Sequence, residues 1–248
     1  MGESRYREVY EAAANDPERF WLEAAAAIDW ITPPSRAFDP AAGISGRWFP
    51  DAVGNTCHNA LDRHVASGRG DQTAIIYDSP VTGTTRRISY AEMLDEVRVL
   101  AGLLAELGIA KGDRVLLYMP MVPEALVGML ASARLGAVHS VVFGGFASRE
   151  LAARIEDAEP KVILAASCGL EPNRVVAYKP LLDEAIALSR HKPESCLVLQ
   201  RPQLAAALVR GRDRDWREAV AEARGRGVSA ACVPVAATDP LYILYTSG

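Results

Sequence analysis

From about Asp71 the apolar positions fall into a regular alternation of short runs and helical stripes. Ala74 to Tyr77 reads as a strand, Asp78 to Thr85 as a turn region holding Pro80 and Gly83, and Arg86 to Ile88 as the returning strand. Ser89 and Glu92 have the spacing of a capping box. Beyond them Met93, Val97, Leu100, Leu104 and Leu107 recur at helical spacing until Gly108 closes the helix. Apolar runs then predict strands at Val115 to Met119, Val162 to Ala165 and Cys196 to Leu199, and a β-branched run predicts another at Ala137 to Phe143. Between them, helices are expected over Pro123 to Leu135, over Ser148 to Ala158 with Ser148 as cap, and around Pro180 to Ser189. Leu241 to Tyr245 predicts one more short, buried strand. Strands alternating with helices in this way imply an α/β fold with a largely parallel, helix-covered sheet.

The first sixty or so residues lack that rhythm. Asp16-Pro17-Glu18 is a helix start, with an N-cap, a first-turn proline and an acid at the positive helix end. The helix carries Phe20, Trp21, Ala24, Ala25 and Ile28 on a face that needs a partner. Trp30, Pro33-Pro34, Trp48, Phe49 and Pro50 continue as irregular, aromatic-rich chain. Such a segment has little core of its own and is expected to wrap against the later sheet.

Composition narrows the class without naming a function. The chain has 248 residues, 50% hydrophobic and 23% charged, enough for one large or two modest globular domains. A formal net charge of -4, with acids and bases interspersed, gives no general attraction to nucleic acid or to an anionic membrane. In Arg210 to Arg226 the acids Asp213, Asp215, Glu218 and Glu222 offset the arginines, so a solvated helix and loop is expected there. Cys57, Cys168, Cys196 and Cys232 are far apart in sequence with no CxxC spacing, which argues against a zinc site or a disulfide framework and for buried free thiols. Met1 to Asp16 mixes acids and bases without an apolar secretory core, and no run reaches the ~18 apolar residues of a membrane span. A cytoplasmic protein is the expectation.

Candidate chemistry lies at strand ends. Gly144-Gly145 would leave the carboxyl edge of a strand, where α/β sheets bind ligands; a close approach to an extended ligand and a tight turn into the next helix weigh equally. A Gly-x-Gly-x-x-Gly fingerprint is absent there, which demotes a nicotinamide dehydrogenase. Tyr118-Met119-Pro120-Met121-Val122-Pro123 reads as a rigid connector. Tyr245-Thr246-Ser247-Gly248 reads as the opening of a glycine-rich phosphate loop, though an ordinary turn would be favoured on these residues alone. His139, mid-strand, is expected to be a hydrogen-bonded core histidine, while His58 and His64 do not fit a helical metal pair. Arg174 follows a short loop, Gly169-Leu170-Glu171-Pro172-Asn173, after a strand, a good location for gripping phosphate, though a lone surface arginine is usually just solvated.

Taken together, these stretches resemble the N-terminal part of the AMP-forming acyl-CoA synthetases of the acetyl-CoA and propionyl-CoA synthetase group. The resemblance runs through Asp16-Pro17-Glu18-Arg19-Phe20-Trp21, Asn59-Ala60-Leu61-Asp62-Arg63-His64 and Lys111-Gly112-Asp113-Arg114-Val115. It continues with Tyr118 to Glu124, Gly136 to Phe146 and Asp239 to Gly248. Asp78-Ser79-Pro80-Val81-Thr82-Gly83 and Ser167-Cys168-Gly169-Leu170-Glu171-Pro172 are more similar to the propionyl type.

The resemblance implies a two-step reaction of a small carboxylate, propionate or acetate, with ATP and CoA, assisted by Mg2+. It implies an incomplete adenylate-forming domain over 63–248 preceded by a wrapping segment over 1–62. Thr246, Ser247 and Gly248 correspond to the first half of the ATP phosphate loop, and Phe143, Gly144 and Gly145 to the CoA wall. Of two arginines that hold CoA phosphates in the acetyl type, Arg174 matches the second, and Glu171 stands at the first. No catalytic or metal-ligating residue is carried over. The chain is therefore expected to be inactive alone, the alternative being a non-catalytic binding fragment or one half of a split enzyme. Self-association through an exposed sheet edge is expected, with no nucleic-acid or membrane partner.

Overall fold

The computed structural model describes residues 4–246, with Phe143 described by its backbone. Two helices open the chain, α1 (Tyr6–Asn15) and α2 (Pro17–Ala25). The side chain of Asp16 caps α2 by accepting from the Arg19 amide at 3.1 Å, as its sequence predicts. Sequence gave no signal for α1, which buries none of its residues. Alanines and the ion pairs Arg5–Glu8 and Arg7–Glu11, at helical spacing, support it instead of a core. The α2 face is half-covered: Ala25 is buried, but Trp21 is 40% exposed and stacks edge-on against Trp48.

Short extended pieces follow: β1 (Phe38–Asp39), β2 (Arg47–Trp48) and β3 (Val53–Gly54). A helical stretch over 56–69 contains two wide turns, His58–Asp62 and Val65–Arg69. Next comes the hairpin β4 (Thr73–Ser79) and β5 (Thr84–Ser89), then α3 (Tyr90–Glu106), whose capping box forms as read: Ser89 and Glu92 exchange backbone-to-side-chain hydrogen bonds of 2.7 and 3.2 Å.

The remaining elements are β6 (Arg114–Met119), α4 (Pro123–Arg134), β7 (Val138–Phe143), α5 (Ser148–Ala158) and β8 (Val162–Ala166). They continue as β9 (Cys168–Glu171), β10 (Arg174–Ala177), α6 (Tyr178–Leu188), β11 (Ser195–Leu199), β12 (Asp213–Asp215), α7 (Trp216–Gly225), β13 (Val235–Ala236) and β14 (Tyr242–Ile243). One sheet organises them, in the order β12-β11-β8-β6-β7-β14, and every pairing in it is parallel. All carboxyl ends therefore share an edge. The middle strands are buried on both faces, with Val162 to Ala166 at 0% exposure, as continuous apolar runs require in a sheet covered on both sides. No helix among the described residues is long and apolar enough to cross a membrane.

Four expectations are corrected. Ser148 does not cap α5: Ala147 holds the N-cap position, and the Ser148 hydroxyl donates to Glu184 at 2.6 Å. Gly169 to Glu171, expected in a loop before Arg174, lie in β9, which pairs antiparallel with β10 in a hairpin turned at Pro172-Asn173. Arg210 to Arg226 is not simply solvated, because β12 is a sheet edge strand and α7 buries Trp216, Ala219, Val220 and Ala223. Its Asp213 carboxylate is fully buried against Lys179 at 2.8 Å and Arg212 at 2.6 Å. Leu241 to Tyr245 is not a buried strand: β14 is two residues long at the other sheet edge, with Tyr242 55% and Leu244 69% exposed.

Candidate functional site

The parallel sheet brings four loops to one edge: after β6 (120–122), after β7 (144–147), after β11 (200–212) and after β14 (244–246). Side chains lock this edge. The Tyr118 hydroxyl donates to the Phe146 carbonyl at 3.0 Å, so the end of β6 fixes the loop after β7. The rings of Tyr118 and Tyr178 lie 5.0 Å apart. Burial pushes the Tyr118 phenol up to about 12, so it stays protonated and remains a donor.

Gly144 and Gly169 face the same ring. A Cβ on Gly144 would stand 2.6 Å from the Tyr178 ring and 2.9 Å from the Met119 carbonyl; one on Gly169 would stand 2.1 Å from the Tyr178 hydroxyl. Close packing thus accounts for the missing side chain at Gly144. Gly145 differs: its φ of +112° lies in the left-handed region open to glycine, and no atom of the described residues stands within 4 Å of its added Cβ. The tight turn and the open approach both have a residue here.

The loop after β14 is held from α5. The Tyr245 hydroxyl donates to Asp157 at 2.7 Å, and the Arg154 guanidinium lies 4.9 Å from the Tyr245 ring centroid and 5.5 Å from that of Phe146. Burial first, then that carboxylate contact, pushes the Tyr245 phenol up to about 12. Thr246 follows, exposed; Ser247 and Gly248 lie outside the described residues. The structure therefore places Gly144, Gly145 and Thr246 on the same sheet edge, with the backbone of Phe143 ending the strand that leads there.

Arg174 sits on the β9–β10 hairpin, 70% exposed, and donates to Glu171 through two bonds of 2.7 and 3.1 Å. Glu171 is held below the usual carboxylate range by that hydrogen bond. Arg201, which sequence reasoning did not single out, is the more enclosed cation: its amide donates to the Ser167 hydroxyl at 2.8 Å and its guanidinium to the Cys168 carbonyl at 3.2 Å. Nothing in its local sequence distinguishes it; only parallel pairing of β8 and β11 brings it to Ser167. His139 has its Nδ1 buried without a hydrogen-bond partner among the described residues, contrary to the satisfied core histidine expected, and burial pushes it down to about 4.

A separate apolar cavity of about 380 Å³ lies under the wrapping segment, lined in part by Trp30, Trp48, Phe49, Asn55 and Leu241. Gly136 and Ala137 also line it, which puts it at the amino-terminal edge, opposite the four loops.

The fold and this edge define a parallel α/β domain with loops at its carboxyl edge, the edge at which such sheets generally bind ligands. The profile of the AMP-binding enzyme family matches residues 62–248, and the profile described as the acetyl-coenzyme A synthetase N-terminus matches residues 6–60. The chain belongs to the AMP-binding enzyme family. It is 50% identical over 99% of its length to acyl-CoA synthetase short-chain family member 3, mitochondrial, of Homo sapiens, covering 35% of that protein. It is 42% identical over 98% of its length to a propionate–CoA ligase of Escherichia coli, covering 38% of it. Among solved structures, an acetoacetyl-CoA synthetase from Streptomyces lividans superposes on the whole chain with a TM-score of 0.84 at 25% identity, the match taking in 37% of that structure. The chain thus spans little more than a third of the length of these relatives.

Proposed function

We propose that this chain supplies the N-terminal portion of an AMP-forming short-chain acyl-CoA synthetase, which converts propionate or acetate, ATP and CoA into acyl-CoA, AMP and pyrophosphate. The observation that carries the reading is similarity over nearly the whole chain to a short-chain acyl-CoA synthetase and to a propionate–CoA ligase. In the reaction a carboxylate oxygen attacks the α-phosphorus of ATP and pyrophosphate leaves. The CoA sulfur then attacks the acyl carbon, AMP leaves, and the thiol proton passes to solvent.

Within this proposal Thr246, Ser247 and Gly248 begin the loop that cradles ATP phosphates through hydroxyls and amides. Phe143, Gly144 and Gly145 form part of the CoA wall; the space beside Gly145, open among the described residues, supports that role more than Gly144 does. Arg174 would meet a CoA phosphate at the exposed hairpin by exchanging its Glu171 partner for the anion. The division into 1–62 and 63–248 is supported by the spans of the two matching profiles. Mg2+ would arrive with ATP: the three-ligand cluster that the described residues offer has two thiols and one carboxylate, poor donors for so hard an ion. The cytoplasm remains the proposed location; since the human relative is named mitochondrial, cell fractionation is its test.

The test of function is pyrophosphate exchange into ATP with propionate and with acetate, by the chain alone and after adding the remaining segment of such a synthetase. Exchange only after mixing is the expected result. Exchange by the chain alone would show that these residues suffice for adenylation, and none in either case would favour a non-catalytic fragment.

A further inference from the structure

Cys57 and Cys232, remote in sequence, meet in the fold. Their sulfurs and a carboxylate oxygen of Asp62 all lie within 4.8 Å of one another. Cys57 is fully buried in the helical stretch 56–69, while Cys232 is partly exposed in the connector before β13. The connector is pinned on both sides of Cys232: the Ala230 amide donates to the Arg98 backbone carbonyl, and the Val233 amide to the Arg134 backbone carbonyl. Beneath the two thiols lies Arg134, only 3% exposed, with its guanidinium 3.5 Å from the Cys57 sulfur.

The charge in this cluster decides its chemistry. Both Asp62 oxygens are taken, Oδ2 by Arg134 at 2.7 Å and by the Cys232 thiol, which donates to it at 3.7 Å, and Oδ1 by Arg134 and Arg98 at 3.1 and 3.0 Å. A metal ion would have to displace two guanidinium groups from its carboxylate ligand and then sit beside one of them. A thiolate suffers neither obstacle, because the guanidinium is a ready counter-ion for it. The hydrogen bond from the Cys232 thiol, reinforced by Arg134, accordingly holds the Cys57 thiol below its ordinary value despite burial. Cys196 is the contrast: burial pushes its thiol up to about 12.

We propose that Cys57 and Cys232 form a redox-active dithiol, which a low-molecular-weight disulfide such as oxidised glutathione converts to an intramolecular disulfide. Cys232 is the sulfur that reaches solvent, but its hydrogen bond to Cys57 and its burial push its thiol well up. It therefore gives its proton to the Cys57 thiolate as it attacks one sulfur of oxidised glutathione, a mixed disulfide forms, and the expelled glutathione thiolate takes that proton from Cys57. Cys57, with its thiolate held by Arg134, then attacks the Cys232 sulfur and expels the second glutathione thiolate. The two cysteine protons end on the two glutathiones, so two thiols are oxidised and one disulfide is reduced. The sulfurs, at most 4.8 Å apart, must close by no more than about 3 Å to reach the ~2.05 Å of a disulfide, a movement within reach of side-chain rotation and a small shift of the connector. The link would tie the connector leading into β13 and β14 to the helical stretch at Cys57.

The experiment incubates the folded chain with oxidised glutathione, alkylates the remaining thiols under denaturing conditions, and maps the digest by mass spectrometry. Two of the four thiols are lost, a Cys57–Cys232 linked peptide appears, and dithiothreitol reverses both. In Cys57→Ser, glutathione stays trapped on Cys232; in Cys232→Ser, Cys57 remains unmodified. Where Cys57→Ser does not fold by circular dichroism, the wild-type digest decides alone. Four alkylatable thiols after oxidation, a link between another pair, or glutathione left on wild-type Cys232 would overturn the proposal. So would one equivalent of Zn2+ retained through gel filtration that shields both thiols from alkylation.

Discussion

Tyr178 fills the space that two glycines leave, one on each side of the ligand-facing edge. The contact makes a prediction about packing rather than about binding. Gly144→Ala and Gly169→Ala each force a methyl group into the Tyr178 side chain and should each lower stability by about 1–3 kcal/mol in urea denaturation. Tyr178→Ala, itself destabilising, should make Gly169→Ala nearly neutral in its background and relieve Gly144→Ala only in part, because the Met119 carbonyl still meets its methyl group. Full additivity of the pairs would refute the shared-space account. His139 carries a pH dependence. Its folded value of about 4 lies below the ordinary 6.5, so between these values the unfolded chain binds a proton that the folded chain refuses. Stability should therefore fall as pH drops from about 6.5 to about 4, by up to about 3 kcal/mol, and the loss is complete below the folded value. Subtracting the urea profile of His139→Leu from that of the wild type isolates this slope; identical profiles would exclude His139 as its source.

Between elements, the junction of α4 with the helical stretch 56–69 depends on Arg134 and Asp62, whose side chains are 3% and 13% exposed. Burial alone would raise the Asp62 carboxyl, but the hydrogen bonds and charges of Arg134 and Arg98 overcome it and hold the group below its usual range. Arg134→Met leaves a mostly buried carboxylate with only Arg98 and should cost about 3–5 kcal/mol, whereas adding Asp62→Leu to it should recover most of that loss. A double variant as unstable as the sum of its singles would mean that the two residues act apart. At this scale the sequence was legible wherever a local rule sufficed. The Asp16 cap, the Ser89–Glu92 box, the β4–β5 turn and the four long apolar strands each follow from neighbours within a turn or two. Ser148 was misread because a hydroxyl at a helix start has an alternative partner, Glu184, that only the packing of α5 on α6 supplies.

In the whole molecule, β14 leaves one edge of the sheet to solvent, with Tyr242 and Leu244 largely exposed and Val141 43% exposed on the adjacent strand. Unpaired strand edges flanked by apolar side chains template pairing with another copy. Light scattering should therefore find dimers or larger species whose population rises with concentration, and Leu244→Lys should shift it toward monomer. A monodisperse monomer across the concentration range would remove self-association from the account.

The sequence by itself determined the alternation of strands and helices, the parallel sheet that this requires, and membership of a family recognised through ordered motifs. Those are properties of periodicity and local backbone chemistry, which depend on residues close together in the chain. Only the tertiary structure decided that Arg201 closes on Ser167, that Gly144 gives way to Tyr178, and that Cys57 and Cys232 share an arginine. Each of these joins residues from separate elements. No spacing rule encodes such pairs, because the register and crossing of the elements fix which side chains meet.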